Sequence, residues 1–204
     1  MDRYERRLPH WDAIDQPLFV TFRLRESLPA NRMFPKKQLG NGRAFVAEDR
    51  VLDTARQGPL YLRQPGIASL LVEAIADGDA RFHRYQLRAF VVMPNHVHLL
   101  VTSHVPLAKW LGPLKGFTAH QANRLLGRSG AFWQDESFDR LVRNNEEFER
   151  IRRYIENNPV IAGLSALPEE YPWSSAVEGG RATARLMAPE GAIAGPKARP
   201  HNEA

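Results

Sequence analysis

The stretch RYQLRAFVVMPNHVHLLVTS, residues 84–103, decides how the rest of the chain is read. Its first half alternates, with Tyr85, Leu87, Ala89 and Val91 expected on one side, and its second half, HVHLLVTS, has the same two-residue period. Met93-Pro94-Asn95 between them is a turn, since proline presets φ and asparagine tolerates tight backbone conformations. The reading is a β-hairpin. Alternation along its second strand sends His96 and His98 to one face and Val97, Leu99 and Val101 to the other. Two imidazoles so placed can share one metal ion, or can simply be two hydrogen-bonded histidines beside a turn.

Upstream, PLFVTFRL at 17–24 alternates as a first strand, with Leu18, Val20, Phe22 and Leu24 on one face. Residues 26–66 are broken by Pro29, Pro35, Gly40, Gly42, Gly58 and Pro59 and read as an elaboration on the core, with a short helix possible over Ala44 to Arg56. Apolar residues at helical spacing follow from Ile67 to Ala76, and Asp77-Gly78-Asp79 is the expected stop. Downstream, Leu107 to Gly127 is a helix through Leu107, Leu111, Leu114, Phe117, Ala122 and Leu125, with Pro113 set to kink it or delay its start. Phe132-Trp133 and Phe138 to Val142 suggest a short strand pair. Asn144 caps a last helix, which Pro159 is expected to end near Asn157. The order strand, helix, strand, strand, helix, strand, helix predicts an α+β fold, an antiparallel sheet with helices over it. Residues 1–177 read as a single domain, and 178–204, rich in Gly, Ala and Pro, as a disordered tail.

The composition supports a folded chain: 43% of the 204 residues are hydrophobic and 25% charged. There is no cysteine, which excludes disulfides and thiolate metal sites and fits the cytoplasm. No run is apolar for long enough to cross a bilayer, so no membrane is expected as a partner. The net charge is only +5, but no Asp or Glu occurs between Arg81 and Gln134, where Arg84, Arg88, Lys115, Arg124 and Arg128 lie. That distribution suits a polyanion such as nucleic acid, or a merely solvated basic face. Trp110, Phe117, Phe132 and Trp133 interleave with it; Trp133 is a candidate for stacking on bases, and Phe117 reads better as core filling. A phosphate-binding Gly-rich loop, a Gly-x-Ser-x-Gly elbow and a His-Glu-x-x-His helix are absent from the sequence, which disfavours an NTPase, an α/β hydrolase and a metalloprotease.

In the last helix Phe148, Ile151 and Ile155 form the buried stripe, and Tyr154 lies at its edge. Asn158 follows four residues on, one turn along the same face if the helix holds. Such a tyrosine is either a half-buried packing residue or a phenol able to attack phosphorus. At a free pKa of about 10 it needs a base or nearby positive charge to react at neutral pH.

Together VVMPNHVHLLV at 91–101, LKGFTAHQANRLLG at 114–127, FWQDESFDRLVRN at 132–144, YIENNPVIAGL at 154–164 and PEEYPWSSA at 168–176 resemble the single-tyrosine HUH transposases. The opening RRLPHWDAIDQPLFVTFRL is similar to their REP-associated branch. The resemblance implies a ferredoxin-like sheet with the histidines on a central strand and the tyrosine helix beside them. It makes His96 and His98 the metal pair, Tyr154 the nucleophile and Asn158 the residue completing the metal site, where some insertion-sequence relatives carry Gln. It implies magnesium or manganese as cofactor. The implied substrate is single-stranded or hairpin DNA, namely repetitive extragenic palindromes, cleaved through a 5′-phosphotyrosine by a monomer or homodimer that associates with the nucleoid. Relaxases usually carry the tyrosine before the histidines, and here it follows them. A domesticated DNA-binding protein that no longer cuts, and a metal-dependent phosphodiesterase in which Tyr154 only packs, are the alternatives.

Overall fold

The computed structural model describes residues 14–27 and 58–177 in full, and the backbone of 3–5 and 9–11. The expected helix over 44–56, most of the 26–66 elaboration and the tail from 178 lie outside these residues. β1 (Arg3–Glu5) and β2 (Pro9–Trp11) form a separate antiparallel pair. The main sheet holds β3 (Pro17–Arg23), β4 (Tyr85–Val92), β5 (His96–Ser103) and β6 (Phe138–Leu141) in the order β4-β5-β3-β6, with every neighbouring pair antiparallel. Helices α1 (Pro65–Ala80) and α2 (Leu107–Leu125) connect β3 to β4 and β5 to β6. This is the ferredoxin-like α+β arrangement, in which both crossover helices share one face. A third helix, α3 (Asn145–Ile161), follows β6 and packs on β4 and β5.

Helices on both faces explain why β3 and β5 are buried almost throughout, apolar-rich and short of polar positions. Leu18, Val20, Phe22, Leu99 and Val101 face α1 and α2, as alternation predicts, and their cross-strand partners in β5 and β3 continue that layer. The hairpin forms where expected, Met93 N–H donating to the His96 carbonyl at 2.9 Å.

β4 departs from simple alternation. Its register against β5 shifts between Leu87 and Ala89, which pair with Val101 and Leu100. Arg88 is the extra residue of this bulge, so Tyr85 and Leu87 face α1 and α2 whereas Ala89 and Val91 face α3. The expected single face of four residues is therefore split in two. Beyond the bulge, residues 171–175 line the outer edge of β4. The Tyr171 hydroxyl donates to the Val92 carbonyl at 2.9 Å, Val92 N–H to the Trp173 carbonyl at 2.9 Å, and Ser175 N–H to the Phe90 carbonyl at 2.9 Å. An edge covered in this way offers no free ladder to another strand.

Both helix ends predicted at breaker residues lie further on. α1 runs through Asp77-Gly78-Asp79 to Ala80, because Gly78 there makes room for Tyr85 rather than ending the helix. α3 continues through Pro159 to Ile161 and ends in a Schellman motif: Gly163 has φ +69°, Leu164 N–H donates to the Pro159 carbonyl at 2.8 Å and Gly163 N–H to that of Val160 at 3.0 Å. Proline so near the end removes a single intrahelical donor, which the closing motif tolerates. Its N-terminus is as predicted, with Asn144 Oδ1 accepting from Glu147 N–H at 2.8 Å. Phe138–Leu141 does not pair with Phe132-Trp133; β6 pairs with β3, and Trp133 bridges Leu24 beyond the end of β3.

Candidate functional site

The second face of β3 carries Phe19, Thr21 and Arg23, and their partners across the ladder in β5 are Leu100, His98 and His96. All point under α3, away from α1 and α2. His96 and His98 are completely buried, and their Nε2 atoms lie 3.0 Å apart. His96 Nδ1 is 2.6 Å from Asn95 Oδ1, and His98 Nδ1 is 2.8 Å from Thr21 Oγ1. Both rings are thus held by their δ nitrogens while the ε nitrogens converge on one point. That both rings leave one face of the strand is what the two-residue period predicted; the shared focus needs the partner strand.

Tyr154 comes to this focus from α3. Its ring centroid is 5.9 Å from that of His98, while Phe19 stacks on His98 at 5.6 Å and meets Tyr154 edge-on at 6.5 Å. Phe19 therefore contacts both rings and fixes their spacing. Asn158, one turn beyond Tyr154, is completely buried, yet neither its Oδ1 nor its Nδ2 has a hydrogen-bond partner. A buried amide in that condition costs on the order of 1–3 kcal/mol, and one turn beyond Tyr154 on the same helix it is available as a further donor. The donor set His, His and an amide oxygen fits a divalent cation. The ε nitrogens are spaced as two adjacent ligands at about 2.1 Å from one ion would be, some 3 Å apart. Among the described residues there is no cluster of three or more His, Cys, Asp or Glu, so a cation held here would need a donor such as the Asn158 amide besides the two imidazoles.

The residues expected to contact nucleic acid fare unevenly. Trp133 is a correction: it is buried, donates its indole N–H to Thr118 Oγ1 at 3.0 Å and packs edge-on to Phe22, so it has no free face for a base. Trp110 and Phe132 are core residues too, whereas Phe117, expected inside, is 40% exposed. Lys115 donates to the Gln134 and Asp135 carbonyls at 2.7 and 2.9 Å, tying α2 to the segment before β6. Arg128 lies over the Tyr61 ring at 4.8 Å, and Arg84 donates to the Lys109 carbonyl at 3.1 Å. Arg88 and Arg124 are exposed, the Arg88 Nε donating to Thr102 Oγ1 at 3.2 Å. Lys115 and Arg124 belong to α2, which covers the face opposite the histidines, so the fold does not gather the basic residues around the candidate centre.

Sequence reasoning missed Phe19, Thr21 and Asn95. The alternation that put Leu18, Val20 and Phe22 together also put Phe19 and Thr21 on the other side, but only the antiparallel register with β5 places them against His98. It also passed over Phe82, half exposed with the guanidinium groups of Arg81 and Arg84 at 5.2 and 5.3 Å from its ring, beside a cavity of about 210 Å³ between α1 and α2.

Residues 67–158 match the family described as "Transposase IS200 like", a span from the start of α1 to Asn158 that bears out the resemblance drawn from the motifs. No curated protein matches the chain. Among solved structures, a REP-associated tyrosine transposase bound to a REP hairpin has the same fold, with a TM-score of 0.53, 19% identity and coverage of 98% of this chain and 94% of that one. Among the described residues, no helix is long and apolar enough to cross a membrane.

Proposed function

We propose that this chain, IS200-like over residues 67–158, is a metal-dependent DNA strand transferase that cuts single-stranded hairpin DNA with Tyr154. The observation that carries the reading is the approach of the Tyr154 ring to within 5.9 Å of His98, whose ε nitrogen lies 3.0 Å from that of His96, with the buried, partnerless Asn158 amide one turn further along α3. His96, His98 and Asn158 would hold magnesium or manganese. With only one oxygen donor from the protein, such a site binds these ions weakly and leaves positions for water and phosphate oxygens. When bound, the ion supplies Lewis-acid polarisation of the scissile phosphate.

The chain's own residues supply the rest. Tyr154 Oη attacks the phosphorus in line, losing its proton as the new O–P bond forms. The bond from phosphorus to the 3′ oxygen breaks, and that oxygen leaves as a protonated hydroxyl. The product is a 5′-phosphotyrosine, and attack by another 3′-hydroxyl reverses the exchange, so one phosphodiester replaces another without ATP. Phe19 and the α3 backbone keep Tyr154 from swinging away, which shortens the search for the in-line geometry. Exposed Arg88 and Arg124 would contact phosphates of the bound strand. The substrate class follows the structural relative, which is bound to a REP hairpin.

The test is incubation of the protein with labelled single-stranded hairpin DNA and Mg²⁺ or Mn²⁺, followed by a denaturing gel. A covalent adduct that is lost in Tyr154→Phe and with chelator supports the reading. Cleavage without an adduct would make the protein a phosphodiesterase, and binding without cleavage would make it a DNA-binding descendant.

A further inference from the structure

The two histidines are held by unlike partners, and that difference has a chemical consequence. Asn95 Oδ1 is an amide carbonyl oxygen, which can only accept, so His96 must carry its proton on Nδ1 and present a bare lone pair at Nε2. Asn95 is itself fixed: it is 1% exposed, and its backbone carbonyl accepts from Leu24 N–H at 2.8 Å. Thr21 Oγ1 is a hydroxyl, which can donate or accept, and it is 3% exposed beside His98 Nδ1. His98 can therefore hold either neutral tautomer without losing that bond.

The 3.0 Å separation of the ε nitrogens selects between them. With His96 presenting a lone pair and both rings neutral, the contact is a hydrogen bond only when His98 carries its proton on Nε2 and the Thr21 hydroxyl donates to Nδ1. For both ε nitrogens to serve as ligands, the His98 proton must instead sit on Nδ1 and be donated to Thr21 Oγ1. One proton leaves Nε2, one arrives at Nδ1, and the hydroxyl turns round; the ring stays neutral.

We infer that Asn95 and Thr21 are positioning residues with unequal tasks: Asn95 locks His96 as a permanent ligand, and Thr21 lets His98 alternate between a closed histidine pair and an open metal site. The inference rests on the proposed metal site. It lets the two imidazoles keep their nitrogens paired when no ion is present and present both ε lone pairs when one is, two conditions that no fixed tautomer pair meets together. It also assigns a reason for a threonine, rather than a valine, in the middle of a buried strand.

The experiment is long-range ¹H–¹⁵N correlation NMR on the full chain with ¹⁵N-histidine, first metal-free and then saturated with diamagnetic Mg²⁺ or Zn²⁺. Metal-free protein should show His96 protonated at Nδ1 and His98 at Nε2; saturation should move the His98 proton to Nδ1 and leave His96 unchanged. Mn²⁺ affinity measured by electron paramagnetic resonance should fall about 10–100-fold in Thr21→Val and Asn95→Ala, be largely restored in Thr21→Ser, and survive in Asn95→Asp. His96 protonated at Nε2, a His98 tautomer unmoved by metal, or wild-type affinity in Thr21→Val would each overturn the inference. The wild-type spectra need no variant to fold. A DNA adduct formed normally by a protein with the wrong tautomers would sink this inference and spare the proposed function; the predicted metal-free tautomers in a protein that forms no adduct would do the reverse.

Discussion

The guanidinium of Arg84 donates to the carbonyl of Lys109, the one α2 acceptor that Pro113, four residues on, leaves without its helical donor. A proline inside a helix removes one N–H, and here a side chain from the start of the hairpin replaces it. Arg84 belongs to the basic stretch that suggested nucleic-acid contact, but part of its task is structural. Arg84→Ala should therefore destabilise the fold by about 0.5–1.5 kcal/mol, and the loss should shrink in a Pro113→Ala background where the helix supplies its own donor. Urea unfolding of the four proteins of this cycle gives the coupling, and strict additivity would show that the bond contributes nothing.

Gly78 leaves the space that Tyr85 occupies, and the Tyr85 hydroxyl donates to the Ile75 carbonyl at 2.7 Å. In an ordinary exposed helix Gly→Ala is stabilising, because alanine is the better helix former. Here the added methyl would collide with the phenol, so Gly78→Ala should cost about 1–3 kcal/mol. A Gly78→Ala, Tyr85→Phe double variant should recover part of that loss, since the hydroxyl is the first atom met. Thermal melts of the pair decide it.

Asn158 keeps two unpaired polar atoms in a site that leucine would fill without them. Asn158→Leu is expected to raise stability by about 1 kcal/mol or leave it unchanged, while Mn²⁺ affinity and adduct formation fall. A variant that is clearly destabilised would mean that the amide is satisfied by the fold itself and that its place beside Tyr154 is incidental.

Glu147 anchors α3 to β6. Burial alone would raise its carboxyl pKa, but Arg143 N–H, the charge and hydrogen bond of Arg140 and the charge of Arg150 together hold it below the ordinary value of 4.5. A carboxylate whose pKa is depressed in the folded state stabilises that state above its unfolded pKa and loses this contribution as pH falls through the folded one. Wild type should lose stability on acidification below about pH 4.5 more steeply than Glu147→Gln, which has no such charge to lose. Parallel urea midpoints for the two proteins between pH 3 and 7, on the order of that range, would contradict it.

Lys115 and Arg124 sit on the same helix and should separate cleanly. Lys115→Ala removes two hydrogen bonds from an ammonium to backbone carbonyls and should lower stability by about 1–3 kcal/mol. Arg124→Ala should leave stability within about 0.5 kcal/mol of wild type. If Arg124 meets a phosphate, its loss should weaken hairpin binding evenly across sequences and reduce the salt slope by about 1. Fluorescence anisotropy over a salt series reads the slope, and an unchanged slope removes Arg124 from the interface.

What residues 84–103 determined on their own was periodicity: two strands, a turn at Pro94-Asn95, and two histidines on one side of the second strand. The same holds for Asn144 as a cap and for Tyr154 at the edge of a buried stripe, because capping and helical spacing are settled within a few residues. Where breakers met distant contacts, local rules gave way. Gly78 stays helical because Tyr85 needs its space, and Pro159 is carried by a terminal motif built four residues later. One bulged residue, Arg88, reassigned half a strand to the other face, and no pattern of polarity announces such an insertion. The candidate site shows the same division. Sequence placed the histidines and the tyrosine on their own elements and left Asn158 at a helix end that the structure carries further, whereas Phe19, Thr21 and the convergence of the two ε nitrogens exist only through the register of β3 against β5. Spacing along a chain fixes which way a side chain leaves the backbone; what it then meets depends on loop closure across dozens of residues, which only the packed structure decides.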